Sequence, residues 1–263
     1  MSISVAQLWV AMTEEARAYG RNEPVLASFY HASILNHGSF ADALSFHIAA
    51  KLGCDSVPAM LLRDVFGEAF VSDNSIVHAA AMDICAHYDR DPACDHYGMP
   101  FLYFKGFQAI QAYRIAHYLW TQGRFSLALF IQNRITTIFD VDIHPAAVIG
   151  SGIMVDHATG LVIGETAVVG NNVSMLHSVT LGGCGSGPGS RHPKICDGVL
   201  ISAGAKVLGN IVVGEGAKIA AGSVVLNDVA PRSTVAGVPA KRVGQLSVEM
   251  PALNMDQNIG EEL

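Results

Sequence analysis

Between Ile143 and Val229 an aliphatic residue recurs at every sixth position. Ile195, Ile201, Val207, Val213, Ile219 and Val225 hold the spacing without a break. Ile143, Ile149 and Val155 form an earlier run, and Ile163, Val169, Met175 and Leu181 another. Four residues after most of these stands a second small or aliphatic residue, among them Ala147, Ile153, Val173, Ala205 and Ala217. Six and four are both even, so the two sets share one face of extended backbone. The period fits neither a helix nor an ordinary hairpin meander. It is the signature of a parallel β-helix, in which short strands turn at tight corners and each coil stacks on the last. Gly150, Gly164, Gly170 and Gly214 directly follow a rung residue, and Gly204, Gly216 and Gly222 fall near corners, where tight backbone suits glycine. A buried rung contributes roughly 1.5–3 kcal/mol, whereas ordering its residues costs about 1–2 kcal/mol each. One coil cannot stand alone, so the repeat has to be long.

The period slips twice. Val155 to Ile163 spans two residues too many, around Asp156-His157-Ala158-Thr159-Gly160. Leu181 to Ile195 is also two residues over, and its Gly182-to-Pro193 interval is too rich in glycine and proline to lie flat as a strand. Both insertions have to leave the scaffold as loops, where function concentrates. Each carries a histidine and a charged neighbour: Asp156-His157 and Arg191-His192.

Upstream of residue 140 the pattern changes. The first 139 residues hold 7 of the 26 glycines, and the reading is helix after helix. Leu8, Val10-Ala11 and Ala16 form a first stripe, and Pro24 suits an early position in a helix reaching His37. Ser39 caps Phe40 to Leu52, and Asp73 caps Asn74 to His87. Pro100 to Trp120 and Phe125 to Phe139 carry apolar residues on several sides, as packed helices do. The expected organisation is a helical oligomerisation domain over 1–139, a β-helix over 140–245 and a mobile tail over 246–263. A formal charge of −7 with no Lys/Arg cluster argues against nucleic acid. No apolar run is long enough for a bilayer. The N-terminus lacks the basic region of a signal peptide, and five cysteines without a C-x-x-C pair fit reduced thiols in a cytoplasmic protein.

Asp142-Ile143-His144-Pro145, Met154-Val155-Asp156-His157-Ala158-Thr159-Gly160, Ser178-Val179-Thr180-Leu181-Gly182-Gly183, Arg191-His192-Pro193-Lys194-Ile195 and Ala236-Gly237-Val238-Pro239-Ala240 together resemble the bacterial serine O-acetyltransferases. The likeness extends upstream through Arg90-Asp91-Pro92-Ala93 and Leu102 to Ala109. It implies an α+β chain whose N-terminal all-helical domain is followed by a left-handed parallel β-helix of hexapeptide repeats. It implies transfer of acetyl from acetyl-CoA, the co-substrate, to the hydroxyl of L-serine, with no metal, and with L-cysteine as feedback inhibitor. It implies a homo-hexamer built as a dimer of trimers, with the site between neighbouring subunits. It also implies capture of the C-terminal tail by O-acetylserine sulfhydrylase.

Acetyl transfer needs a proton acceptor for the hydroxyl, and a histidine titrating near neutrality is the usual one. His157 is the candidate. Asp142 can accept a hydrogen bond from its second nitrogen and so stabilise the imidazolium; the family pairs these positions. Arg191 offers a fork for the serine carboxylate, Asp91 and Asp156 suit its ammonium, and His192 can hold the hydroxyl or the acyl centre. The resemblance carries Gly183, Cys184, Ala203, Ala221 and Lys241 over to acetyl-CoA. Cys184 stands where threonine is usual and Ser186 where lysine is usual, which removes one cation from the CoA groove. His144 reads as structural, and His177 receives no role. Three other readings compete: an acceptor with a different small hydroxyl or amine, a zinc enzyme, and a scaffold without catalysis. His157, His177 and His192 lack the His-x-x-x-x-His spacing of zinc-dependent β-helix enzymes, and a bare scaffold leaves both histidine insertions unexplained.

Overall fold

The computed structural model describes residues 3–185, 187, 189–246 and 250–258. Helices run to Phe139 and strands begin at Val141. The helical part contains α1 (Val5–Asn22), α2 (Ala27–Tyr30), α3 (Phe40–Leu52), α4 (Ala59–Ser72), α5 (Ser75–Arg90), α6 (Gly98–Tyr103), α7 (Lys105–Thr121) and α8 (Phe125–Phe139). Ser39 caps α3 by accepting from the Asp42 N–H, as expected from its place before an apolar run. The first stripe is Leu8, Met12 and Ala16, one residue per turn, and Val10 is exposed. The segment after Pro24 is not one helix: a 3₁₀ turn, α2 and a π turn reach only Leu35. Pro100 to Trp120 is divided at Phe104, which is extended and separates α6 from α7.

The repeat folds into a parallel β-solenoid with three faces. Face one stacks β1 (Val141–Ile143), β4 (Leu161–Ile163), β7 (Thr180–Gly182), β10 (Lys206–Leu208) and β13 (Val224–Val225). Face two stacks β2 (Val148–Ile149), β5 (Val168–Val169), β8 (Lys194–Ile195) and β11 (Val212–Val213). Face three stacks β3 (Met154–Val155), β6 (Ser174–Met175), β9 (Leu200–Ile201), β12 (Lys218–Ile219) and β14 (Ser233–Gly237), closed by antiparallel β15 (Ala240–Gln245). Every rung residue of the six-residue period is buried. The glycines serve two ends. At Gly204 the backbone adopts φ +72°, which a side chain resists. At Gly150 the next coil passes so close that a β-carbon would lie 2.6 Å from the Gly170 carbonyl oxygen.

Helices and solenoid share one continuous apolar core. Buried Asp83 of α5 clamps the join. Its Oδ2 accepts from Arg114 (2.7 Å) and Gln111 (2.9 Å) of α7, and its Oδ1 accepts from the Ile153 N–H in the first coil (2.8 Å). Arg114 also donates to the Gly150 carbonyl (2.7 Å), and Tyr113 to that of Ala147. A charge buried this deeply is tolerated because its oxygens are fully used.

The region expected as a mobile tail is partly ordered. α9 (Pro251–Asn254) lies on face three with Pro251 and Ala252 buried. Ala252 packs on Leu176 and Leu200, and its carbonyl accepts from Ser174 Oγ (2.9 Å). Pro251 at the first helical position and apolar contact explain an ordered turn where no period announces one. Gly260 to Leu263 lie outside the described residues.

Candidate active site

The two insertions occupy different corners of the solenoid. Asp156-His157 follows β3, at the corner between faces three and one; Arg191-His192 precedes β8, at the corner between faces one and two.

At the first corner the two extra residues are absorbed by left-handed backbone at His157 (φ 58°) and Ala158 (φ 59°). Ala158 is buried beneath the turn, and the side chain of His157 is 71% exposed. His157 Nε2 lies 3.5 Å from Asp156 Oδ2. The His177 ring stands edge-on to it, with centroids 5.8 Å apart. Burial raises the Asp156 carboxyl above its ordinary pKa; His157 opposes the shift and Asp91 adds to it. Asp91 arrives from the end of α5, where its Oδ1 accepts from the Ala93 N–H (2.9 Å). A cleft of about 350 Å³ opens here, lined in part by His87, Asp91, Tyr103, Lys105, Asp156 and His157. Lys105 donates to Thr159 Oγ1 (2.6 Å).

The expected Asp142–His157 hydrogen bond is not made among the described residues. Asp142 sits on β1, opposite Val162, and Gln132 of α8 donates to its Oδ1 (2.7 Å). Asp156 is the carboxylate beside His157, because adjacency in the turn brings it there.

At the second corner His192 is 7% exposed and lies in a slot bounded by two glycines. A β-carbon on Gly164 would overlap its ring, and one on Gly183 would lie 2.9 Å from Nε2. The Thr166 N–H (3.2 Å) donates to Nδ1, and Thr166 Oγ1 lies 2.8 Å from it. Nδ1 is therefore the acceptor, and the neutral ring carries its proton on Nε2. Burial and then the charge of Arg191 lower the pKa of His192, which keeps it neutral. Arg191 pairs with Glu165, whose carboxyl that hydrogen bond holds below its ordinary range. The Cys184 N–H donates to the Arg191 carbonyl (3.1 Å) and closes the loop at its base. Cys184 is exposed, and Ser186 lies outside the described residues.

The other carried positions divide between the corners. Gly183 and Cys184 stand at the second, Ala203 and Ala221 above His157 at the first, and exposed Lys241 on β15. Glu165, Thr166 and Gln132 were not singled out in the sequence. The Gly164-Glu165-Thr166 triplet, directly after a rung, was the available signal. No group of three or more His, Cys, Asp or Glu suited to a metal is present among the described residues.

A hexapeptide solenoid with histidine-bearing corners, joined to a helical N-terminal part, defines an acyltransferase of the hexapeptide-repeat class. A family model described as the N-terminal region of serine acetyltransferase matches residues 8–112, and one for the bacterial transferase hexapeptide (six repeats) matches residues 192–227. Serine acetyltransferase of Escherichia coli (strain K12) is 56% identical over 251 residues, covering 95% of this chain and 92% of that protein. A crystal structure of serine acetyltransferase from Vibrio cholerae O1 biovar El Tor N16961 superposes with TM-score 0.96 at 57% identity, covering 97% of this chain and 99% of that one. A serine acetyltransferase in complex with cysteine gives TM-score 0.95 at 54% identity, covering 97% and 99%. One in complex with CoA gives 0.88 at 55%, covering 91% and 100%. The chain belongs to the serine acetyltransferase family.

Proposed function

We propose that this protein transfers the acetyl group of acetyl-CoA to the hydroxyl of L-serine. The observation that carries the reading is the first corner: an exposed histidine beside two neighbouring carboxylates, at the mouth of a small cleft. Asp91 and Asp156 suit the ammonium of an amino acid, and a bound cation lowers the cost of ionising the raised Asp156. His157 takes the hydroxyl proton as serine Oγ attacks the thioester carbon. The tetrahedral adduct then collapses, the C–S bond breaks, and the CoA thiolate leaves and recovers the proton from His157. Asp142 steadies the imidazolium electrostatically. Arg191 and the Nε2–H of His192 hold the serine carboxylate and orient the hydroxyl.

One chain carries these groups at two corners separated by face one. A threefold arrangement that sets the His157 corner of one subunit against the His192 corner of the next completes the site, and two such trimers joined through the helical part make the hexamer. Acetyl-CoA lies along that seam, against Gly183, Cys184, Ala203 and Ala221, with Lys241 near the nucleotide. L-cysteine has the same zwitterion as serine and competes for Asp91, Asp156 and Arg191. The terminal Leu263 offers a carboxylate and an aliphatic side chain to a backbone nest on O-acetylserine sulfhydrylase. A tail peptide is expected to bind that enzyme in a titration, and the same peptide without Leu263 to bind more weakly; equal binding removes the tail from this role.

The function is tested by following thiol release from acetyl-CoA with L-serine, homoserine and small amines as acceptors. Release supported by L-serine above the other acceptors is expected. Release without discrimination, or none with L-serine, overturns the reading.

A further inference from the structure

The turn that carries His157 is strained, and the reaction above depends on its shape. His157 and Ala158 both take left-handed backbone, at φ 58° and 59°, where a β-carbon crowds the following carbonyl oxygen. Two such residues in a row persist only where their surroundings hold them there. The backbone bonds of the turn are local or run along the solenoid. The Ala158 N–H donates to the Asp156 carbonyl (2.7 Å), and the Thr159 N–H to that of His157 (2.8 Å). The Gly160 N–H donates to the Asp140 carbonyl (2.8 Å), and the Ser178 N–H to that of Thr159 (2.7 Å). These close the loop and stack its exit on the next coil. None of them comes from α5, α6 or α7, which wall the cleft.

The first two residues of α7 supply a hold from that side. Gly106 lies so close that a β-carbon on it would overlap the Val155 carbonyl oxygen and stand 3.2 Å from the Ala158 methyl. That contact fixes the distance between helix and turn. Lys105, one residue earlier, donates from Nζ to Thr159 Oγ1 (2.6 Å). The same oxygen lies 3.5 Å from the His157 carbonyl. Among the described residues, Lys105 to Thr159 is the one side-chain hydrogen bond between the helices and the Asp156–Gly160 segment. A charged donor makes a stronger hydrogen bond than a neutral one, which suits it to holding an exposed turn. The chain from Lys105 through Thr159 ends on the backbone of the base itself.

We propose that Lys105 is a positioning residue for the base: its bond to Thr159 Oγ1 sets the turn from which His157 reaches the serine hydroxyl. The inference rests on the reading of His157 as that base. Lys105 touches neither substrate, and no bond to it forms or breaks in the reaction. Its effect passes through the place of the imidazole, which has to lie within hydrogen-bond reach of the proton it takes. Loss of the bond therefore acts on turnover and leaves substrate binding in place.

The test is a double-mutant cycle in steady-state kinetics on the full chain, with melting temperature as the check on folding. Thr159 is exposed and Lys105 half-buried, so either side chain can be changed without opening the core. Lys105→Met is expected to lower kcat by about 10-fold to 10², up to the cost of a misplacement of about 1 Å, with both KM values within a few-fold. Thr159→Val removes the acceptor and is expected to match it. The double variant is expected to lose no more than either single one, because both remove the same bond. Thr159→Ser keeps the hydroxyl and is expected to recover most of the loss seen with valine. Should Lys105→Met not fold, Thr159→Val against Thr159→Ser gives the same comparison. A kcat within about threefold of the parent for Lys105→Met or Thr159→Val, or losses that multiply in the double variant, overturns the inference. So does a serine KM that rises while kcat holds, which would make Lys105 a substrate contact. His157→Ala separates the two levels. If that variant keeps its turnover, the underlying reading fails; if it is inactive while Lys105→Met is not impaired, only the positioning role is wrong.

Discussion

Gly164→Ala adds one methyl group at a position where the backbone takes no left-handed conformation, and the three atoms nearest to the added carbon all belong to His192. The added carbon would overlap Nε2 and Cδ2 of the ring and lie 2.9 Å even from Cε1, the farthest of the three. Restoring an ordinary contact of 3.4 Å displaces the ring by on the order of 1 Å, and a misplacement of that size costs about 10² in rate. The ring cannot swing the other way, because Gly183 closes the slot and Thr166 holds Nδ1. Forcing it out weakens the bonds at Nδ1, worth about 0.5–1.5 kcal/mol each, and overpacking of this kind costs about 1–3 kcal/mol. The variant is therefore expected to fold, to melt several degrees lower, and to lose about 10²-fold in kcat/KM for serine while CoA binding holds within a few-fold. Gly67→Ala, where nothing lies within 4 Å of the added carbon, is the control for methylation as such. Parent-like kcat/KM in a folded Gly164→Ala enzyme would refute the slot as the device that positions His192.

His157→Ala is expected to lower turnover by about 10²–10⁴, the range for loss of a general base, and Asp142→Asn by less; near-normal turnover of the first removes His157 from that role. Arg191→Ala is expected to raise KM for serine far more than for acetyl-CoA, and equal changes would mean that it only shapes the loop through Glu165. Stability is expected to fall in mild acid. Burial lowers His47 and His87 from 6.5 to about 3 in the fold, so between those values the unfolded chain binds protons that the fold rejects. That contribution is complete above about pH 6.5 and is lost as pH falls toward 3, at up to about 1.4 kcal/mol per pH unit for each histidine. Melting at stepped pH checks this, and a His47→Gln/His87→Gln protein that keeps the full slope would place its origin elsewhere.

The solenoid was legible because its rule is local: each rung repeats six residues on, and every one is buried. The breaks in that rule located His157 and His192, since a repeat cannot absorb two extra residues within a strand. α3 was legible from its Ser39 cap, and α8 from the apolar run of Phe125 to Phe139. The division of α6 from α7 at Phe104 was not, because neither Phe104 nor the residue on either side of it is a glycine or proline; α7 begins where Gly106 lets the helix touch the Val155 carbonyl of the solenoid, a contact remote in sequence. The same limit hid Thr166 and Glu165, which matter only because β5 brings them under β8. It also hid the edge-on contact of His177 with His157, which depends on how far each coil travels before it returns. The link between Asp142 and His157 was expected from the family, and in the single chain Asp142 is bonded to Gln132 instead.

The Asp83 clamp bears on how the chain is made. A solenoid grows coil upon coil, and the step without a neighbour to grow on is the first. Here the first coil has one already: the Ile153 N–H and the Gly150 carbonyl are met by Asp83 and Arg114 of helices that precede it in the chain. Because domains generally fold as units and the N-terminal part leaves the ribosome first, those helices are synthesised before β1. They act as a seed crystal does for later layers, and elongation proceeds in the direction of synthesis. Shortening the chain from its C-terminal end removes finished layers one at a time, whereas unseating Asp83 removes the surface on which the first is laid.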